Sequence, residues 1–254
     1  MPRILVRRPS PRLAEGELTH AERVPVDPGL ALQQWQAYVD VFRDHGWGVT
    51  PVDPADEHPD GVFVEDAVVV FDDLAVLTSP GAASRRGELA TVAPVVAGLG
   101  LAVHRIEPPG TLDGGDVLKV GRTVYVGRSS RTNDAGIDQL RRILAPAGRP
   151  IVTVPITRAL HLKSAVTALP DGTVVGREEL IGDPGAFPSF LHVPEPHGTA
   201  VVDLGGDTLV MSAAAPRTAR LFRERGYDVV AVPVSEFEKL EGCVTCLSER
   251  VRAR

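Results

Sequence analysis

Cysteine is almost absent: the 254 residues hold two, Cys243 and Cys246. Two cysteines three positions apart cannot make a disulfide framework, and no further cysteine exists to complete a structural zinc site. No apolar run approaches the roughly 18 to 20 residues of a membrane span. The opening residues 1–9 lack the apolar core and small-residue cleavage site of a secretory signal. Basic blocks are missing too. Lys and Arg number 27 against 33 Asp and Glu, a net charge of -6, and nucleic-acid backbones are bound by clustered Lys and Arg. No glycine-rich phosphate loop of either common type is present. The expectation is a cytoplasmic, reduced protein with neither nucleic acid nor membrane as partner.

What is present is an apolar fraction of 43%, enough to bury a sizeable core at this length, and a repeat. Four segments run helix, glycine, strand: residues 30–45 then Gly46, 86–99 then Gly100, 133–147 then Gly148, and 216–225 then Gly226. Glycine ends each helix by accepting a left-handed conformation. The β-branched run that follows reads as a buried strand. Paired strands precede the helices, with credible tight turns at Asp72-Asp73, Gly121-Arg122 and Pro170-Asp171-Gly172. The unit is strand, strand, helix, strand, recurring roughly every 45 to 55 residues with one irregular copy, a spacing of repeat and propeller architectures. A doubly wound α/β sheet is the alternative, but such sheets rarely alternate hairpins and helices so regularly. Residues 182–198 read as a surface loop, and the polar stretch 10–28 as a mobile loop or lid.

Several residues carry candidate chemistry. The run after Glu241-Gly242 reads as a strand, which would face Cys243 and Cys246 in opposite directions. Buried structural cysteines, a catalytic nucleophile and a redox pair all remain open on these residues alone. His161 sits at a strand entrance, where a pocket would form, and a catalytic histidine needs an orienting partner such as Asp113. Asp113-Gly114-Gly115-Asp116 precedes a hairpin, and Gly205-Gly206-Asp207 repeats the arrangement. Residues 60–66 read as a strand in which Glu65 and Asp66 interrupt apolar residues. Buried carboxylates are costly unless paired, so a cationic ligand or neighbouring arginines are expected. Arg85 and Arg131 follow hairpins at equivalent places and suit a substrate carboxylate, which arginine binds in two-pronged fashion. A thiol, an imidazole and several carboxylates together suit attack on a cationic carbon such as a guanidinium.

Taken in order, residues 60–66, Ser84-Arg85-Arg86, residues 112–118, residues 130–133, residues 161–164 and residues 241–246 resemble the dimethylarginine dimethylaminohydrolase family of the guanidino-group-modifying superfamily. The resemblance spans nearly the whole chain. It implies an α/β fold, a five-bladed α/β propeller with a pseudo-fivefold repeat around a central channel, formed by residues 1–254 as a single catalytic domain. It implies hydrolysis of methylated arginines to citrulline, with Cys246 as nucleophile, His161 as general acid and base, and Asp113 holding His161. By the same resemblance Asp66 binds the guanidinium with Glu65 in support. Asp60 contacts the amino-acid end, Arg85 and Arg131 bind the α-carboxylate, a backbone contact falls near Leu18, and Glu241 lies near the α-amino site where relatives often have aspartate. No cofactor and no metal are implied, and a homodimer is compatible. Rival readings are an arginine or agmatine deiminase, a methylarginine-binding module, and a CxxC oxidoreductase that would need Cys243.

Overall fold

In the computed structural model, which describes residues 1–252, the repeating segments form five three-stranded sheets. The chain opens with β1 (Arg3–Val6), α1 (Pro28–Asp44) and β2 (Gly48–Pro51). A second unit follows as β3 (Val68–Phe71), β4 (Leu74–Leu77), α2 (Leu89–Ala97) and β5 (Ala102–Arg105). The third is β6 (Val117–Val120), β7 (Thr123–Arg128), α3 (Asp134–Leu144) and β8 (Ile151–Pro155). A single turn, α4 (Leu162–Ala165), leads into β9 (Val166–Ala168), β10 (Val174–Gly176), α5 (Glu178–Ile181) and β11 (Phe190–His192). This fourth unit is the irregular copy, its helix cut to one turn. The fifth is β12 (Val201–Gly205), β13 (Thr208–Ser212), α6 (Pro216–Glu224) and β14 (Asp228–Val232). After α7 (Ser235–Glu238), β15 (Glu249–Val251) returns to the start.

Every sheet has the same pairing. Its middle strand runs antiparallel to one neighbour and parallel to the other. The first sheet draws on both chain ends: β15 pairs antiparallel with β1, setting Arg250 opposite Ile4, and β1 pairs parallel with β2. A hairpin supplies each antiparallel pair and a helical crossover each parallel pair elsewhere, as short and long connections require.

The central residues of the middle strands are apolar because both of their faces are covered. In β4, Ala75 and Leu77 enter one core cluster while Val76 enters the next. In β13, Leu209 and Met211 face one cluster and Val210 another. Each cluster therefore joins two units. One links the first and second (Leu5 with Val68), the next the second and third (Val76 with Val124). Others link the third and fourth (Leu118 with Val174) and the fourth and fifth (Val175 with Leu209). The remaining one links the fifth and first, placing Val210 and Val232 with Ile4, Tyr38 and Phe42. Fully burying one such side chain is worth about 1.5 to 3 kcal/mol.

Local signals place the helices as expected. Asp27 accepts the amides of Gly29 and Leu30 at 2.8 and 3.0 Å, and Pro28 starts α1. Gly46 and Gly226 end α1 and α6 with φ of 77° and 94°.

Three readings of the sequence need correction. Residues 60–66 are two 3-10 turns, Pro59–Val62 and Val64–Asp66, not a strand. With no neighbouring strand to pair with, their amides bond locally, Phe63 to Asp60 and Asp66 to Phe63. The cysteine segment is likewise a turn: the Cys246 amide donates to the Cys243 carbonyl at 3.2 Å. Residues 182–198 contain β11 and are not a plain loop. The stretch 10–28 does run without a strand, with one 3-10 turn at Leu13–Glu15.

Candidate active site

The turns at residues 60–66 and 243–246 converge with segments from other units. Cys246, just before β15, lines a cleft with His161, Asp66, Asp60, Arg85, Arg131 and Glu241. Leu240, Gly242, Phe63, Leu160 and Glu17 complete its wall.

His161 is 2% exposed and held from both sides. Its Nε2 lies 3.1 Å from Asp113 Oδ2, and its Nδ1 lies 3.8 Å from Asp66 Oδ1. Burial alone would lower the imidazole pKa. The charge of Asp66, the hydrogen bond with Asp113 and the charge of Asp116 outweigh it and raise the value to about 9. His161 is therefore an imidazolium at neutral pH. Asp66, which burial would push up, is held down at about 2 by His161 and Arg85.

Backbone amides fix these groups. Asp113 Oδ1 accepts the Gly81 amide at 2.9 Å and Asp66 Oδ1 accepts the Gly115 amide at 2.9 Å. Asp116 accepts the Leu162 amide at 2.9 Å and the Ser129 hydroxyl at 2.6 Å, fixing the residue next to His161. Burial raises Asp116 to about 6. The two glycine pairs noted in the sequence do different things. Gly205 and Gly206 form a hairpin tip with φ of 91° and 59°. At Gly115 a Cβ would meet His161 Nδ1 at 2.6 Å and Asp66 Oδ1 at 2.7 Å, so only glycine lets these two approach. Asp66, Asp113 and His161 hold donor atoms within 4.8 Å of one another, a spacing a metal ion would also use. Here their oxygens already accept from Arg85, Gly115, Gly81 and His161, so ion pairing accounts for the cluster.

Cys246 is 6% exposed, and its Sγ lies 3.3 Å from Cys243 Sγ. The turn thus brings the thiols together, where a strand would have parted them. The hydrogen bond to Cys243 raises the Cys246 pKa. Burial and the charges of Glu65 and Asp66 raise it further.

No family model matches this chain. It is 60% identical over 248 residues, 98% of this chain and 96% of the relative, to N(G),N(G)-dimethylarginine dimethylaminohydrolase of Streptomyces coelicolor. The chain belongs to the dimethylarginine dimethylaminohydrolase family. A second relative of that name, from Pseudomonas aeruginosa, is 34% identical over 251 residues, covering 97% of this chain and 98% of its own. A cysteine-to-serine mutant of the Pseudomonas aeruginosa protein complexed with citrulline superposes with a TM-score of 0.92 at 32% identity, over 98% of each chain. The five three-stranded units, each an antiparallel strand pair with a helical crossover to a parallel third strand, resemble the dimethylarginine dimethylaminohydrolase fold, and the chain is an enzyme of the hydrolase class to which that family belongs. Among the described residues no helix is long and apolar enough to cross a membrane.

The cleft does not gather every residue singled out in the sequence. Glu65 is fully buried away from the cleft wall. Its carboxylate takes Lys163 Nζ at 2.7 Å, Arg250 at 3.1 Å and the Thr245 hydroxyl at 2.8 Å. Its pairing is met inside the protein, where it holds the cysteine turn through Thr245. Arg85 borders the cleft but its guanidinium is already committed, to Asp66 at 2.6 Å and to both oxygens of Glu88 at 2.9 Å. Arg131 carries the more available guanidinium: its partners are Glu17 at 3.1 Å and the Thr19 hydroxyl at 3.2 Å, both from the early loop. Leu18 packs its side chain on the core cluster that links the fifth and first units. Its neighbours anchor the loop, with the Glu17 amide on Asp60 at 3.1 Å and the Thr19 and His20 amides on Glu241 at 2.5 and 3.0 Å. Burial raises the Asp60 pKa against the pull of Arg85.

Sequence reasoning passed over Glu17, Glu88, Asp116, Lys163, Thr245 and Arg250. Only Asp116 had a visible signal, as the second acid of the Asp113–Asp116 turn. The others become legible only when distant turns meet.

Proposed function

We propose that this chain hydrolyses N-omega-methylated arginines to citrulline and methylamine or dimethylamine, with Cys246 as nucleophile. The observation that carries the reading is an imidazolium, His161, locked between Asp113 and Asp66 on the wall of the cleft that holds the Cys246 thiol.

The carboxylates of Asp66 and Asp60 in a cleft with a single nucleophilic sulfur suit a planar guanidinium cation. The hydrogen bond with Cys243, burial and the charges of Glu65 and Asp66 keep Cys246 protonated before substrate binds. An arriving cation offsets that charge and favours the thiolate, whose proton is lost to solvent. The sulfur attacks the central guanidinium carbon and forms a C–S bond. His161 gives its proton to the methylated nitrogen as the C–N bond breaks, and the amine leaves. A pKa of about 9 keeps that proton in place at neutral pH. The neutral imidazole then takes a proton from water, whose oxygen attacks the same carbon. The C–S bond breaks, the thiolate leaves and citrulline remains. Asp113 orients His161 throughout and stabilises its charged form. Arg131 is offered to the substrate α-carboxylate, with Arg85 acting mainly through Asp66. Asp60 and Glu241 are offered to the amino-acid end, and the loop around Leu18 closes over it.

The reading extends to the frame. The five units close as a propeller around this cleft, and residues 1–254 act as a single catalytic domain. Support comes from the core clusters, which link each unit to the next and the fifth to the first, and from β15, which joins the chain ends in one sheet. Two free thiols in contact fit a reducing compartment such as the cytoplasm.

The test is citrulline release from asymmetric dimethylarginine, monomethylarginine, arginine and agmatine. Turnover of the methylated arginines is expected. Turnover of arginine alone would make the chain a short deiminase, and turnover of none would remove the hydrolase reading.

A further inference from the structure

We infer that Cys243 and Cys246 form a reversible disulfide under peroxide, which makes the nucleophile turn a site of oxidative modification. The inference rests on the reading of Cys246 as nucleophile for its effect on turnover, but not for the chemistry of the pair.

The turn is already shaped for the bond. The sulfur atoms are 3.3 Å apart, and the Cys246 amide donates to the Cys243 carbonyl at 3.2 Å. That hydrogen bond closes a β-turn, whose ends lie within about 7 Å. Disulfides span Cα separations of about 4.4 to 6.8 Å, with sulfurs about 2.05 Å apart. Bringing the sulfurs together therefore asks for side-chain rotation and no rebuilding of the backbone.

Access differs between the two thiols. Cys246 is buried at the substrate cleft. Cys243 is half-buried and lines an adjoining cleft with Ser164, His197, Ser212 and Glu238, on the far side of Glu241 and Gly242 from Cys246. An oxidant the size of a peroxide thus has a route to Cys243 that does not pass the substrate. The hydrogen bond from Cys246 also lowers the Cys243 pKa, which favours the thiolate that peroxides attack.

The chemistry balances with hydrogen peroxide as oxidant. The Cys243 thiolate attacks one peroxide oxygen, the O–O bond breaks, and sulfenic acid and water result. The Cys246 sulfur then displaces the sulfenic oxygen, which leaves as a second water after taking the thiol proton. Two sulfurs are oxidised and one peroxide is reduced. A thiol reductant reverses the bond by exchange. While it lasts, Cys246 cannot attack a guanidinium, and the pairing protects it from irreversible oxidation to sulfinic acid.

The experiment treats the full chain with stoichiometric hydrogen peroxide and follows thiol titre, peptide mass and turnover together. Titratable thiols should fall from two to none, with a linked Cys243–Cys246 peptide, loss of two hydrogens and complete loss of turnover restored by dithiothreitol. Cys243→Ser, oxidised alongside, should show no linked peptide and should gain oxygen at Cys246, with turnover that dithiothreitol does not fully restore. Retention of both thiols in the parent, or sulfinic acid at Cys246 with no linked peptide, would overturn the inference. A linked peptide in a protein that never turned over methylarginine would uphold the disulfide and overturn the hydrolase reading instead. A linked peptide with turnover unchanged would overturn the modification as a switch.

Discussion

Thr245 donates its hydroxyl to Glu65 at 2.8 Å, across 180 residues of sequence. The Glu65 amide in turn donates to the Cys246 carbonyl at 3.3 Å, so the nucleophile turn is clasped on both sides by one buried acid. That acid also neutralises Lys163 and Arg250. Glu65→Ala would remove the carboxylate paired with buried Lys163 and part-buried Arg250, and breaking a buried ion pair costs roughly 3 to 5 kcal/mol. Urea unfolding should show that loss. An unchanged stability with a raised KM would instead return Glu65 to the substrate.

His161 should make stability depend on alkaline pH. Its folded pKa of about 9 lies above the unfolded value. The stabilisation, on the order of 3 kcal/mol, is fully present below about pH 6.5 and is lost as pH rises through about 9. The stability difference between the parent and His161→Gln should shrink over that window. A difference flat with pH would contradict the ion pairing. In Asp113→Asn the histidine should titrate lower, read by NMR of the imidazole.

Much of this architecture is legible in the sequence, because its signals are local. Helix ends at Gly46 and Gly226, and hairpin tips at Asp72 and Gly121, are read residue by residue. β15 is not legible: it is three residues long, and its partner β1 is at the other end of the chain. Residues 60–66 and 243–246 imitate strands because each holds an apolar or β-branched run, Val62-Phe63-Val64 in one and Val244-Thr245 in the other. Turn formation there depends on bonds from elsewhere, such as that between Thr245 and Glu65. His161 with Asp113 is foreseeable from chemistry alone, since a catalytic imidazole needs an orienting acid. The commitment of Arg85 to Asp66 and Glu88 is not, because side-chain pairing is set by three-dimensional distance.

Gly115→Ala places a methyl group against His161 and Asp66. Displacing either by about 1 Å is expected to reduce kcat on the order of a hundredfold, with the fold retained by circular dichroism. Wild-type kcat in Gly115→Ala would show that the close approach is not needed.

Glu17 holds Arg131 at 3.1 Å and also takes the Ser84 hydroxyl. On the proposed reading its carboxylate competes with the substrate carboxylate for Arg131. Glu17→Gln should lower KM for methylarginines by up to about fivefold, the equivalent of an ion pair of about 1 kcal/mol, with kcat little changed. A raised KM would show that Glu17 serves substrate binding by closing the loop.

The most direct measurement is acid quenching of the enzyme during turnover of asymmetric dimethylarginine, followed by mass analysis of the peptide carrying Cys243 and Cys246. The account expects a thiouronium adduct on Cys246. It should be absent with turnover in Cys246→Ser, and present with turnover in Cys243→Ser. An adduct on Cys243, or undiminished citrulline release by Cys246→Ser, would contradict it.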